Sequence, residues 1–397
     1  MLSEYVVSSA RRRGWVRYLP KWLKYLARYC WPNAIHRSEW KDSSQAILAC
    51  SKASPAVTDR RVCVVNDWSF RHVYYEAACR ELGVPYRLLD VTSFDWAEQF
   101  TADDSCIYFY RPFVLSAFIR SIYEERAFCL ERVLNKTLFP RYDEIWPYES
   151  KRRCISLLEL RAIPHPRTRV FFSREEAYGF LETASYPLVF KTDLGAEAFG
   201  VKIVDSRRQA ERIVRRCFGR GVPCNTFDPR DRNRGQVLFQ EYLKDVREWR
   251  VIRIGDSYFA YEKGKQGHFH SGSKITLFGP PPPGLLEFSR NALDKLGLEC
   301  VSLDVFVGPE MRFCVNEIQT YYGATESNAI CYEAGKPILL EAGQTVEMMV
   351  HGRTGRYLWT AGQWVFEEGD FARNAGCNLR VKLAFQRLGH PLPGYWV

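Results

Sequence analysis

The feature that constrains this chain most is an alternation of short apolar runs with a helical stretch that begins at Arg61. The run VCVVND (62–67) precedes RHVYYEAACRELG (71–83), and two more apolar runs, YRLLDV (86–91) and CIYFYRPF (106–113), follow at crossover spacing. Strands that alternate with helices in this way pair in parallel. The alternation predicts a small parallel sheet, the size of half a Rossmann-type lobe. No G-x-G-x-x-G follows the first run, so nothing indicates a dinucleotide site there.

The composition indicates a folded protein rather than a disordered, fibrous or membrane-spanning one. Hydrophobic residues make up 46% and charged residues 26% of the 397 residues, which is enough apolar material for two or three domains. No run approaches the roughly 18 consecutive apolar residues of a spanning helix, and no signal peptide is evident, so we expect a cytoplasmic protein. The 13 cysteines are scattered without a C-x-x-C pair, which favours reduced core residues over disulfides or a zinc site.

The net charge of +10 indicates an anionic partner: a nucleotide triphosphate, a nucleic acid or an anionic membrane surface. Much of the excess lies in RRRGWVRYLPKWLKYLARYCW (11–31) and between Arg207 and Arg234. The first stretch is typical of a helix packed on the protein body with a basic solvated face. The alternatives are contact of residues 11–29 with the inner face of a membrane and, less favoured, a polyanion-binding arm. Five arginines in the helical stretch 207–218 are typical of a solvated face.

The stretch SLDVFV-GPEM-RFCVNEIQ (302–319) predicts a β-hairpin that carries acidic side chains. Residues two apart on a strand share a face, so Glu317 and Gln319 project together, and Asp304 on the preceding strand can face them. Three oxygen-bearing side chains of this kind suit Mg²⁺, which completes its coordination with phosphates and water. Taken alone, acidic residues on a half-exposed strand more often form a solvated face.

A second candidate site is the stretch PLVFKTDLGAEAFGVKIV (187–204), where Lys191 ends an apolar strand before a loop with Gly195 and Gly200. Glycines allow backbone N–H groups to approach phosphate oxygens, and the lysine supplies a charge to them. The order of residues is not that of a Walker A motif, and an ordinary hairpin would show the same spacing.

Taken together and in order, these motifs resemble the ATP-grasp superfamily between about residues 144 and 325. YESKRRCISLLELRAIPHPRT (148–168) is similar to the family's D-K-x…L…G-I-P-x-P-x-T, and the stretch around Lys191 is similar to P-V-V-x-K-P…G-x-G-V. VLFQEYLKDVREWRVIRIGDSYFAYEK (237–263) resembles Q-E-x-I followed by D-x-R-x-x-V-x-G, and SLDVFV…VNEIQ resembles D-x-x…E-x-N. Within the superfamily the order resembles carboxylate-amine ligases such as ribosomal-protein glutamate ligases and D-alanine:D-alanine ligases.

The resemblance implies a role for each matched position. Arg250 and Lys263 would be catalytic and face the γ-phosphate or the acyl-phosphate. Asp304, Glu317 and Gln319 would bind Mg²⁺, with Gln319 departing from the family's asparagine and leaving the placement of a second metal open. The remaining matched residues would bind ATP: the phosphate-binding Lys151, Lys191, Gly195 and Gly200; Gln240, Glu241, Tyr242 and Leu243 around the adenine; and Glu248 at the ribose.

The resemblance also implies an architecture of α/β and α+β class, with a Rossmann-like N-terminal lobe followed by a two-part ATP-grasp domain. The expected domains are a basic and aromatic segment (1–60), the Rossmann-like lobe (61–143), an ATP-grasp lid (144–235), an ATP-grasp core (236–345) and a C-terminal extension (346–397). Within the last part of the chain, ILLEAGQTVEMMV (338–350) predicts an amphipathic helix.

The implied activity is that of an ATP- and Mg²⁺-dependent ligase that joins a carboxylate to an amine through an acyl-phosphate. One reaction of this class would attach an amino acid to a polysaccharide precursor or peptide natural product. Two alternatives stay open: a phosphotransferase that acts on a hydroxyl, and a non-catalytic protein that binds ATP or a polyanion. A nucleic-acid partner is not favoured, and the sequence does not indicate an oligomeric state.

Overall fold

The computed structural model describes residues 23, 47–49, 51–68, 70–111, 116–195, 198–224, 228, 230–265, 267, 269–271, 273, 275–321, 330–333, 336–338, 349–350, 353–369, 371 and 373–393. The chain forms two compact units. The first comprises residues 1–139 and 225–232, and the second comprises residues 140–224 and 233–397. The basic segment 11–29 lies outside the described residues except for Leu23. No helix within the described part of the chain has the length and apolar character needed to cross a bilayer.

The helices are α1 (Val73–Glu81), α2 (Trp96–Ala102), α3 (Ala117–Phe128, continued by a π-helical turn, Cys129–Val133), α4 (Tyr142–Ile145), α5 (Lys151–Leu160), α6 (Arg174–Thr183), α7 (Arg207–Cys217), α8 (Leu285–Leu296) and α9 (Cys377–Arg387). The strands are β1 (Val62–Val65), β2 (Tyr86–Leu89), β3 (Tyr108–Phe109), β4 (Leu138–Phe139), β5 (Thr168–Phe171), β6 (Leu188–Lys191), β7 (Val201–Val204), β8 (Val222–Pro223), β9 (Arg232–Asn233), β10 (Val237–Glu241), β11 (Arg247–Ile254), β12 (Ser257–Lys263), β13 (Ile275–Phe278), β14 (Cys300–Val307), β15 (Phe313–Gln319), β16 (Ile330–Glu333), β17 (Lys336–Ile338), β18 (Met349–Val350), β19 (Arg353–Thr360) and β20 (Gln363–Glu368).

The first unit is built on a four-stranded parallel sheet in the order β2-β1-β3-β4. All four residues of β1 are buried, as its unbroken apolar run requires of a central parallel strand. Helix α1 forms the crossover from β1 to β2, and Gly83 follows it with a φ of 64°. The parallel sheet expected from the alternating pattern is confirmed.

The second unit contains a smaller, antiparallel sheet in the order β5-β10-β6-β7. Helices α6 and α7 cover one of its faces, where Phe190 and Phe239 join the buried residues of both helices in one core. Because side chains alternate along a strand, Lys191 points to the opposite face from Phe190. The sheet therefore separates the helical layer from the face that carries Lys191.

A larger sheet follows in the second unit, in the order β15-β14-β11-β12-β13-β16-β17, with β19 paired to β12 and flanked by β18 and β20. Helices α5 and α8 contribute Leu158 and Leu293 to the core that lies against this sheet. The helix expected over residues 338–350 is wrong at both described ends, because Ile338 closes strand β17 and Met349 opens strand β18. Residues 339–348 lie outside the described residues.

Candidate functional site

The centre of the candidate site is the hairpin β14–β15, whose ladder contains a bulge. Asp304 pairs with Glu317, whereas the next residue, Val305, pairs with Val315, so Asn316 is an extra residue with no partner across the ladder. The bulge allows Val315 and Ile318 to enter the core although they are three apart. As a result, Asn316 and Glu317 both lie between core positions instead of alternating across the sheet.

Glu317 and Lys151 meet at the end of this hairpin. The Nζ atom of Lys151 lies 3.7 Å from Oε1 of Glu317 and donates a hydrogen bond of 2.8 Å to the carbonyl of Gly195. Ser150 caps helix α5 by accepting a hydrogen bond from the backbone N–H of Arg153. Burial opposes the charge of Lys151, but the carboxylates led by Glu317 outweigh it and raise the pKa of the lysine.

Lys191 is bound to the extra residue of the bulge. Its Nζ atom donates a hydrogen bond of 2.8 Å to Oδ1 of Asn316. Burial lowers the pKa of Lys191 to about 8, with Lys151 adding repulsion and Glu317 opposing both effects. Lys191 is half-buried and its hydrogen-bond partner is a neutral amide, so its charge can accept a further anionic partner such as a phosphate.

Asp304 is the most strongly engaged carboxylate of the site. Nε of Arg250 donates to Oδ1 at 2.8 Å and Nη2 donates to Oδ2 at 3.0 Å, while Nζ of Lys263 donates to Oδ2 at 2.8 Å. The same Nη2 atom donates to Oε1 of Gln319 at 3.1 Å. Burial alone would raise the pKa of Asp304, but the two cations hold it well below its usual range. The predicted metal ligands Asp304 and Gln319 thus share one guanidinium.

Glu248 completes this network from the neighbouring strand. It is buried and accepts a hydrogen bond from Nζ of Lys263, which also lies 3.2 Å from Oγ of Ser271. Burial works against the charge of Lys263, yet Asp304 and Glu248 together raise its pKa. Lys263 is therefore a charged donor that is bonded to two acidic groups.

The residues predicted to surround the adenine lie at the end of β10. Nε2 of the buried Gln240 donates to Oγ1 of Thr168 at 3.0 Å, so its side chain fastens β10 to β5. Glu241 accepts hydrogen bonds from the backbone N–H and from Nε of Arg167. Tyr242 and Leu243 follow, half-buried, in the connection toward β11.

The glycine loop between β6 and β7 is shaped by close backbone contacts. Gly200 has a φ of 82°, and a Cβ atom there would lie 2.1 Å from Oγ1 of Thr192. Gly195 has a φ of 130°, and a Cβ atom would lie 2.6 Å from the carbonyl of Cys224. Both glycines are thus needed for the loop to close, whatever it binds.

Two side chains of the site were missed in the sequence. Asn316 was overlooked because an alternating strand would have placed it on the core face, although the three-residue spacing of Val315 and Ile318 signals a bulge. Ser271 lies in the connection between β12 and β13, where no spacing in the sequence marks it as a site residue. Its neighbour His270 lies 2.9 Å from the carbonyl of Lys263 and 3.2 Å from that of Val246. His268 lies outside the described residues.

The donor chemistry fits a magnesium ion shared with a nucleotide. Glu317 offers a half-buried carboxylate whose described partner is a lysine at 3.7 Å, and Asp304 and Gln319 add hard oxygen atoms. Among the described residues, no three acidic, histidine or cysteine side chains form a cluster suited to a metal ion. Two carboxylates and one amide oxygen match the usual coordination of Mg²⁺, which binds one or two carboxylates and completes its shell with phosphates and water.

Several solved structures have a fold similar to that of this chain. The structure of D-cycloserine synthetase matches with a TM-score of 0.50 and 17% sequence identity, over 68% of this chain and 94% of that one. A RimK domain ATP-grasp protein from Sphaerobacter thermophilus matches at a TM-score of 0.46 and 17% identity, over 65% of this chain and 90% of that one. D-alanine–D-alanine ligase from Bacillus anthracis matches at 0.48 and 15% identity, over 66% of this chain and 86% of that one. No protein-family model and no curated protein sequence matches the chain.

Proposed function

We propose, from the premise that this chain has the ATP-grasp fold, that it is an ATP- and Mg²⁺-dependent ligase that joins a carboxylate to an amine. The observation that carries the proposal is the convergence of four cations and three acidic side chains from two sheets and helix α5 of one unit. Their contacts run from Lys151 and Lys191 at one end to Arg250 and Lys263 at the other.

The arrangement supports activation of a carboxylate by phosphoryl transfer. The carboxylate oxygen attacks the γ-phosphorus of ATP, the bond to ADP breaks, and an acyl-phosphate forms. The amine nitrogen then attacks the activated carbonyl, loses a proton and expels phosphate. Lys151 and Lys191 would bind the α- and β-phosphates, and Gly195 and Gly200 would shape the loop that borders them.

Arg250 and Lys263 would stabilise the oxygens of the transferred group. In the structure both cations are held beside one carboxylate, Asp304, so they already lie close together when an anion arrives. Glu248 would bond the ribose. The end of β10, with Gln240, Glu241, Tyr242 and Leu243, would border the adenine.

Glu317 would hold Mg²⁺, with Asp304 and Gln319 as further oxygen ligands. The ion, when bound, would neutralise charge on the β- and γ-phosphates. Because Asp304 and Gln319 are both hydrogen-bonded to Arg250, their use as ligands requires that this guanidinium turn toward the phosphoryl oxygens.

The finer proposal concerns the substrates and the rest of the chain. A large anionic or carbohydrate-bearing substrate, such as a polysaccharide precursor or a peptide that receives an amino acid, is supported by the net charge of +10. We retain the interpretation of residues 61–143 as a Rossmann-like lobe, of 144–235 and 236–345 as the lid and core of the ATP-grasp domain, and of 346–397 as an extension. A cytoplasmic location belongs to the same proposal, with membrane contact through residues 11–29 as the alternative to a helix packed on the protein body.

The test is trapping of the acyl-phosphate. The full chain is incubated with ATP, Mg²⁺ and pools of carboxylates, with hydroxylamine in place of the amine, and the products are identified by mass spectrometry. We expect ADP and a hydroxamate, both lost in Arg250→Met and Lys263→Met. Consumption of ATP with a phosphate ester and no hydroxamate would show a phosphotransferase. Nucleotide binding with no turnover over a broad substrate pool would show a binding protein.

A further inference from the structure

We infer that helix α7 and the turn after it form a docking surface for an acidic polypeptide segment, independent of ATP turnover. The surface is the set of exposed arginines on the outer side of this helix and at its C-terminal end, and we call it the arginine surface: Arg208, Arg212, Arg215, Arg216, Arg220 and Arg234.

The helix is divided sharply into two faces. Ala210, Ile213, Val214 and Cys217 are buried against the smaller sheet and helix α6. Arg208, Arg212 and Arg215 recur every three to four residues and therefore share the opposite face. The backbone N–H of Gly235 donates to the carbonyl of Cys217, which places Arg234 beside the C-terminal end of the helix.

Ion pairing distinguishes the start of helix α7 from the arginine surface. Arg207, at the start of the helix, is paired with Glu211 at 2.8 Å and Glu182 at 3.5 Å. In contrast, no acidic side chain of the described residues lies within ion-pair distance of any arginine of the surface. Like charges one turn apart destabilise a helix. The helix dipole favours cations in its last turn, but not at Arg208 and Arg212.

The surface points away from the candidate active site. Helix α7 covers the face of the smaller sheet that carries Phe190, whereas Lys191 points to the other face. A partner bound along Arg208, Arg212 and Arg215 therefore does not contact Lys191. This separation makes the surface a docking site rather than an extension of the phosphate-binding site.

Carboxylates of a polypeptide fit the surface better than a membrane or a nucleic acid does. The outer face of α7 exposes no apolar or aromatic side chain that could enter a bilayer or stack on a base. From Arg208 to Arg216 the stripe extends about 12 Å, and acidic Asp205, Glu182 and Glu211 border its beginning. These carboxylates would repel a long continuous polyanion but leave room for a short acidic segment.

The spacing of the arginines also matches a peptide. Guanidinium groups one turn apart lie about 6 Å from each other along the axis, which equals the spacing of glutamates four residues apart on a helix. Each guanidinium can bind a carboxylate through two parallel hydrogen bonds. We therefore expect the partner to present at least three acidic residues in such a row.

Binding of a designed peptide to the full chain tests the inference. The ligand is a fluorescein-labelled helical peptide of about 16 residues with a glutamate every fourth position, compared with a peptide of the same composition in scrambled order. Fluorescence anisotropy is measured at about 0.1 M salt. Arg212→Gln/Arg215→Gln should weaken binding of the ordered peptide about tenfold. The matched control, Arg161→Gln/Arg174→Gln, removes two exposed arginines elsewhere and should change binding less than about twofold.

The same variants are titrated with a single-stranded oligonucleotide and with phosphatidylcholine vesicles that contain phosphatidylserine. The inference requires that the ordered peptide bind more tightly than its scrambled form and that the surface variant lose this preference. Equal binding of both peptides, or equal loss in both variants, overturns it. Tighter binding of the oligonucleotide or the vesicles, lost in the surface variant, also overturns it in favour of a phosphate partner. Stabilisation by ATP should be the same in all variants, which confirms that they are folded and separates this result from the proposed function.

Discussion

At the scale of single residues, Glu317 is the group on which the proposed metal chemistry depends. Changing Glu317→Gln keeps the shape and removes the charge that would attract Mg²⁺. We expect ADP release to fall by at least about 100-fold. Without the Glu317 carboxylate, Mg²⁺ would no longer be held where it neutralises charge on the phosphates. The melting temperature should fall only moderately, because Lys151 and Lys191 lose a nearby carboxylate but Glu317 is half-buried and its ion pair with Lys151 is 3.7 Å long.

The control for this variant is Glu310→Gln in the turn of the same hairpin, where the side chain is exposed. It removes the same charge outside the site and should leave ADP release unchanged. Retention of Mg²⁺-dependent turnover by Glu317→Gln would remove Glu317 from the metal site.

Lys191 gives a prediction about pH. A phosphate attracts the charged lysine, and burial has lowered the pKa of this lysine to about 8. ATP affinity should therefore be constant below this pH and fall as pH rises through it, by up to about tenfold per unit. Lys191→Arg, whose guanidinium stays charged, should bind ATP with no such decline. Titration calorimetry across the range measures both, and an identical decline in both proteins would assign it to another group.

At the scale of elements, the β6–β7 hairpin depends on its glycines. Gly200→Ala would place Cβ against Thr192 in a backbone with a φ of 82°, and should destabilise the fold by about 2 kcal/mol or more. The matched control is Gly179→Ala within helix α6, where a Cβ atom meets nothing within 4 Å. That change should stabilise the fold by about 0.5–1 kcal/mol. Urea unfolding of both variants provides the comparison, and equal effects would contradict the steric role of Gly200.

Elements bounded by glycine or proline could be predicted from the sequence, and elements without such boundary residues could not. The hairpin β14–β15 carries a turn with Gly308 and Pro309 between two apolar runs. The hairpin predicted over residues 302–319 agrees closely with the observed strands. Strand β5 and helix α6 were missed because no glycine or proline separates them and only Ser173, as N-cap, marks the boundary. The hairpin β19–β20 was overlooked because its tryptophans were not recognised as the cross-strand pair Trp359 and Trp364.

The candidate site could be predicted as a set of residues but not as a set of contacts. Spacing along the chain identified Asp304 and Arg250 separately, yet gave no sign that the two would be paired through two hydrogen bonds. Such pairing depends on the register between strands β11 and β14, which sequence alone leaves open. The same holds for Lys191 and Asn316, which are 125 positions apart.

At the scale of the whole molecule, the two compact units give a prediction about where a nucleotide acts. All residues proposed to bind ATP and Mg²⁺ belong to the second unit. Addition of both should slow hydrogen exchange of amides in β6, β10 and β15, because binding stabilises only the states in which these strands are folded. Amides of the parallel sheet β1–β4 should exchange at the same rate with and without nucleotide. Protection confined to the first unit would place the nucleotide elsewhere.

The bulge at Asn316 makes one position of the site unusually free to evolve. Since this residue has no partner across the ladder and is not part of the core, its replacement leaves the packing of Val315 and Ile318 intact. Yet its amide oxygen is the partner of Lys191. A single substitution of Asn316 can therefore change the hydrogen bond to Lys191 without disturbing the fold. Under selection for a different nucleotide affinity, or for activity at a different pH, we therefore expect substitutions to arise first at Asn316.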